Sequence, residues 1–84
     1  MIRTTRHPAS ITIPVDSAWI GSVTNASDAT LTVRFRRGTV YRYFTVPRGI
    51  FEEFRTAPSK GTYFTHRIRH VFPYTHIVEP APQS

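Results

Sequence analysis

The stretch TLTVRFRRGTVYRYFTVP, residues 30–47, alternates apolar and polar side chains on both sides of a short polar break. A period of two belongs to a half-buried β-strand and is not tolerated by a helix. Leu31, Val33 and Phe35 therefore share one face, and Thr32, Arg34 and Arg36 share the other. The run after the break is rich in β-branched and aromatic residues and reads as the second strand of a hairpin. The break then decides the register. With Arg37 and Gly38 alone as the loop, Val33 faces Arg42 and an apolar stripe opposes a charge. With Arg36, Arg37 and Gly38 as the loop, a type I turn places Gly38 in the left-handed region, so that Val33 faces Tyr41 and Leu31 faces Tyr43. A slip of one residue reverses every side chain, so the second register is expected. It turns Tyr41 and Tyr43 inward as structural residues with hydroxyls at the rim. Thr32, Arg34, Arg42 and Phe44 are left on the opposite face, with Arg36 and Arg37 at the hairpin tip.

Around this hairpin the punctuation is legible. ITIP, residues 11–14, suits a short edge pairing, and a first strand is expected near residues 20–24. NASD, residues 25–28, is turn chemistry, because Asn, Ser and Asp bond nearby backbone in place of a ladder. After the hairpin the period changes. Pro47 suits the first helical position, and Ile50, Phe51, Phe54 and Ala57 form one amphipathic stripe. Glu52 and Glu53 lie near the helix start, where negative charge is favoured. Ser59 then reads as the N-cap of a second helix whose stripe is Phe64, Ile68, Val71 and Phe72, ended by Pro73. Opposite that stripe lie His66, Arg69 and His70, with Lys60 near the amino end. The expectation is an α+β domain: a small three-stranded antiparallel meander followed by two helices packed on one face. Residues 1–10 read as a flexible basic arm, 11–78 as a single domain and 79–84 as a disordered tail.

A chain of 84 residues allows one small core, burying about 60% of the surface it would expose unfolded. It has no cysteine, hence no disulfide framework and no thiolate chemistry. The amino-terminal segment lacks the apolar run of a secretory signal and nothing approaches a membrane span, so a cytoplasmic protein with no membrane partner is expected. The formal net charge is +6, and all but one of the 11 cations are arginine. Guanidinium matches phosphate oxygens bidentately and stacks on bases, which suits a polyanion; the competing reading is solubilising charge.

Several spaced motifs extend this reading. VDS with Ile20, then LTVRFRRGTVYRYFTVP from residue 31 to 47, then APSKGTYFTHRIRHVFPY from 57 to 74, together resemble the KTSC domain, a module named after the carboxy-terminal region of some lysyl-tRNA synthetases and also found free-standing. The resemblance covers nearly everything but the two tails. It implies a three-stranded sheet with two helices, a YxY signature at Tyr41 and Tyr43, and a role in binding RNA. Pro47, Gly61 and the run from Ser59 to Gly61 match, as do Ile68 and Arg69. Thr24-Asn25 stands where the family often has Tyr-Asp, Thr65 where it often has Asn, and Phe72 where Tyr is common.

Two further patterns bear on chemistry. RGTVYRYF has a superficial likeness to an RNA-recognition strand, but Thr39 and Val40 stand where an aromatic and a small residue belong. His66 and His70 have a metal-ligand spacing on a helix, yet no third ligand is evident nearby and Arg67 and Arg69 repel a dication. No metal and no cofactor are expected. A metal-independent ribonuclease built from His66, His70, Lys60 and Tyr63 is the third reading. A protein-binding adaptor centred on Phe44 between Arg34 and Arg42 is the second. The first is a non-catalytic nucleic-acid-binding module of low sequence specificity, RNA favoured. Its expected contacts are Arg34, Arg36, Arg37, Arg42 and Phe44 from the hairpin, with Lys60 and Arg69 from the second helix.

Overall fold

The computed structural model describes residues 9–78. Five antiparallel strands form one sheet in chain order: β1 (Ser10–Pro14), β2 (Ile20–Ala26), β3 (Leu31–Phe35), β4 (Val40–Tyr43) and β5 (Tyr74–Ile77). Helices α1 (Arg48–Thr56) and α2 (Lys60–Arg67) are inserted between β4 and β5. The expected three strands therefore understate the sheet. ITIP does form an edge strand, and its register sets Thr12 opposite Thr24 and Ile13 opposite Val23. The fifth strand was not expected. It forms because β4 has a free flank once β3 is paired, and the returning chain supplies the missing partners: Phe44 donates its amide to the Pro73 carbonyl at 2.9 Å, and Tyr43 then lies opposite Tyr74. The arm over 1–10 and the tail over 79–84 lie outside the described residues, save Ala9 and Ser10, the latter opening β1.

The hairpin adopts the expected register. Leu31 faces Tyr43 and Val33 faces Tyr41. The Phe35 amide bonds the Thr39 carbonyl at 2.8 Å and the Gly38 amide returns to the Phe35 carbonyl at 2.9 Å, closing a loop of Arg36, Arg37 and Gly38. Gly38 sits at φ 103°, a conformation open to glycine at little steric cost. At the preceding turn Asp28 accepts from the Thr30 amide at 3.2 Å and the Thr30 hydroxyl at 2.7 Å. Asn25 instead belongs to β2 and points inward, fully buried, donating Nδ2 to the Thr30 carbonyl at 3.3 Å.

One face of the sheet meets the helices. Ile20, Val23, Leu31, Val33 and Tyr43 from the strands pack with Phe51 and Phe54 of α1 and Phe64 and Ile68 at α2. Each of these phenylalanines, fully buried, contributes about 1.5–3 kcal/mol by removal from water. Pro47 is the N-cap of α1 at φ −63°, one position before that expected, and the Ala57 amide bonds the Phe54 carbonyl where the helix ends. Ser59 caps α2 as expected, its hydroxyl accepting from the Thr62 amide at 3.3 Å. The helix stops at Arg67. Ile68 is anchored in the core while the chain turns, so Val71, expected on the buried stripe, is 58% exposed.

Candidate functional site

The helices do not cover the whole inner face. Beyond α2 a basin remains among rings in contact: Trp19, Phe35 and Phe64 touch one another, Tyr41 meets Phe35, Tyr43 meets Phe64, and Tyr74 meets both tyrosines. Trp19 stacks on Phe35 with centroids 5.6 Å apart and planes 8° from parallel. The main recess, about 340 Å³, is lined by these rings other than Tyr74, together with Arg37, Thr39 and Arg69. A smaller one of about 150 Å³ adjoins it, shares Tyr41, Tyr43 and Arg69, and is completed by His70 and Tyr74. Among the described residues no Asp or Glu lines either recess.

Tyr41 and Tyr43 thus divide the work between them. Tyr43 is 3% exposed and belongs to the core, whereas Tyr41 is half-buried and faces the basin. The Tyr43 phenol is pushed up to about 12, first by burial and then by Tyr74, with Arg69 pulling the other way and Tyr41 adding a little. Arg69 thus lies within electrostatic reach of a buried hydroxyl.

Trp19 also separates the basin from a second, polar cleft of about 650 Å³ at the start of α2, where Asp16 and Ser17 face Ser59, Lys60, Thr62 and His66. The loop bearing Trp19 is held from below. Arg36 donates Nε to the Ser17 carbonyl at 2.7 Å and Nη2 to the Val15 carbonyl at 3.3 Å, and its amide bonds the Trp19 carbonyl at 2.9 Å. From above, Gly61 allows the indole to approach: a Cβ there would lie 2.8 Å from Trp19 Nε1.

The seven expected contacts are not brought onto one surface. Arg37 and Arg69 meet at the basin. Lys60 lies across Trp19 in the polar cleft and donates to the Ala57 carbonyl at 3.1 Å. Arg36 is a structural tether. Arg34 and Arg42 occupy the opposite, helix-free face, where Arg42 Nε donates to the Thr32 hydroxyl at 3.3 Å and Phe44 is 36% exposed. Trp19, Phe35 and Tyr74 were missed as site residues. A lone tryptophan in a loop was the available signal for Trp19; Tyr74 gave none, because its strand was not recognised.

The ribonuclease set is also dispersed. Lys60 and His66 line the polar cleft, His70 lines the small recess, and Tyr63 donates its hydroxyl to Glu53 at 2.6 Å. That phenol is also held up to about 12, by burial first and then by the Glu53 carboxylate. His70 lies past the end of α2, so the helical spacing from His66 does not hold. Among the described residues no group of three or more His, Cys, Asp or Glu is arranged to hold a metal. No described helix is long and apolar enough to cross a membrane.

Relatives share this framework. The match to lysine–tRNA ligase of Trichormus variabilis is 48% identical over 48 residues, and that to the ligase of a Nostoc species is 46% identical over the same length. Each covers 57% of this chain and only 9% of the ligase. The crystal structure of a KTSC domain protein from Yersinia pestis superposes with a TM-score of 0.77 at 32% identity, over 83% of this chain and 100% of that one. The KTSC domain family model matches residues 22–72, a span that takes in the hairpin, both helices and Arg69 and leaves out the edge strands β1 and β5. This chain belongs to the KTSC domain family.

Proposed function

We propose that this KTSC domain is a small, basic, non-catalytic module that binds nucleic acid with low sequence specificity, and that RNA is the ligand. The observation that carries the reading is the pairing of Arg37 and Arg69 over one aromatic basin with no described carboxylate in its lining. Guanidinium groups neutralise phosphates and exposed rings stack on bases, a combination that tolerates any sequence because every base has a π-face. The net charge of +6 favours association with a polyanion. The choice of RNA rests on the relatives: lysine–tRNA ligases carry the matched segment and act on tRNA. On this reading the working surface is the helix side of the sheet. Lys60 extends it past Trp19, and Arg36 serves it by holding the Trp19 loop.

The helix-free face supports a second reading, a protein partner, because Phe44 is exposed there on the same side as Arg42. Fluorescence anisotropy of a labelled single-stranded RNA separates the two. Binding at about 50 mM salt that weakens steeply by about 200 mM is expected of phosphate contacts. Arg37→Ala/Arg69→Ala is expected to weaken it, and Arg34→Ala/Arg42→Ala to leave it nearly unchanged. Absence of binding at the lower salt overturns the nucleic-acid reading.

A further inference from the structure

We propose that the aromatic basin takes one unpaired nucleotide at a time, the base lying against Trp19, Phe35 and Tyr41 and the phosphate resting in the small recess of Arg69, His70 and Tyr74. This rests on the nucleic-acid reading and names the ligand class of that site.

The two recesses differ in size and in the side chains they do not share: Trp19, Phe35 and Phe64 with Arg37 and Thr39 line the larger, His70 and Tyr74 the smaller. The larger, about 340 Å³, is walled by Trp19, Phe35, Tyr41, Tyr43 and Phe64. That volume is at the lower end of small-molecule sites, so it accommodates one planar group and not a stack of them. The smaller, about 150 Å³, offers tyrosine hydroxyls, a guanidinium and an imidazole. Each can donate to a tetrahedral oxyanion, and no described carboxylate opposes it. Tyr41, Tyr43 and Arg69 line both recesses, so a ligand filling one is continuous with the other. Arg37 and Thr39 stand at the larger recess, where a second phosphate or a ribose passes out.

A base inside a duplex presents only its edges, because both its faces are already stacked. To enter a basin of rings it must be splayed out, as in single-stranded loops and ends. A free nucleotide carries the same chemistry, so both sources are tested.

The chain has one tryptophan, and it forms the wall of the basin, so its emission reports occupancy directly. The probes are a short oligouridylate, the same sequence in a perfect duplex, uridine monophosphate and uridine. Saturable quenching by the oligouridylate is expected, with weaker quenching by the monophosphate and none by uridine or the duplex at equal concentration. Arg69→Ala is expected to reduce affinity for oligouridylate and monophosphate by about 10-fold or more, the scale of one charge-assisted contact. Arg48→Ala removes an equal charge from the exposed start of α1 and is expected to change neither beyond about 2-fold. Equal quenching by duplex, or RNA binding seen by anisotropy with Trp19 silent, overturns the nucleotide site while the RNA reading stands. Quenching by the monophosphate without RNA binding supports the site and overturns the RNA reading. No response to any probe overturns both.

Discussion

Trp19 and Gly61 approach so closely that a methyl group on the glycine would lie 2.8 Å from the indole Nε1 and 3.3 Å from Cε2 and Cζ2. The indole cannot yield inward, since it is stacked on Phe35 and edge-on to Phe64. Gly61→Ala is therefore expected to drive Trp19 outward. The overpacking cost of about 1–3 kcal/mol exceeds the helix-propensity gain of at most about 1 kcal/mol. A lower denaturation midpoint and a red-shifted Trp19 emission are the outcomes to measure; an unchanged spectrum would show that the indole tolerates the methyl group.

Arg36 and Arg37 are neighbours with opposite assignments. Arg36→Ala removes the bonds to the Ser17 and Val15 carbonyls that hold the Trp19 loop. It is expected to cost about 1–3 kcal/mol, read by urea denaturation, and to loosen the indole. Arg37→Ala breaks no described bond and is expected to leave stability within about 0.5 kcal/mol.

Titration of Tyr43 links pH to stability. Its folded-state value of about 12 lies above the ordinary phenol value of 10.0 because burial disfavours the phenolate. A group raised in the folded state contributes fully below its unfolded value and loses that contribution as pH rises through the folded one. Urea midpoints should therefore hold steady up to about pH 10 and fall between about 10 and 12. Tyr43→Phe should flatten part of that fall. Tyr63, raised for similar reasons on the helix surface, contributes to the remainder.

Thr45 occupies φ 57°, a left-handed conformation rare for a β-branched residue. It lies between Phe44, which opens the pairing with Pro73, and Val46, whose amide bonds the Ala29 carbonyl at 2.8 Å. Thr45→Gly relieves about 1–3 kcal/mol of strain against about 0.5–1 kcal/mol of added unfolded-state freedom. A net gain of about 0.5–1 kcal/mol in thermal or urea denaturation is expected.

The hairpin was legible because two neighbouring constraints agree: an apolar stripe fixes which residues face inward, and Gly38 fixes where the chain reverses. The same logic located both helices, through Phe51, Phe54 and Phe64 and the Ser59 cap. It failed for β5, whose residues Tyr74, Thr75 and His76 are exposed and so lack the apolar alternation that marks a half-buried strand. Its pairing is set by the free flank of β4, distant in sequence. Arginine composition raised the expectation of a polyanion partner and assigned it no face, since whether Arg37 or Arg34 meets a ring depends on which side the helices take. Trp19 reaches the basin through Arg36 and Gly61, contacts that no periodicity encodes.

The order of the strands also bears on how molecules of this protein treat one another. The sheet's outer rims are a five-residue strand ending at Pro14 and a four-residue strand preceded by Pro73. A rim that short, stopped by an imino acid, gives a foreign strand few amides and carbonyls on which to extend the ladder. Crowded copies are thereby steered away from edge-to-edge polymerisation, and the positive charge they share keeps them further apart.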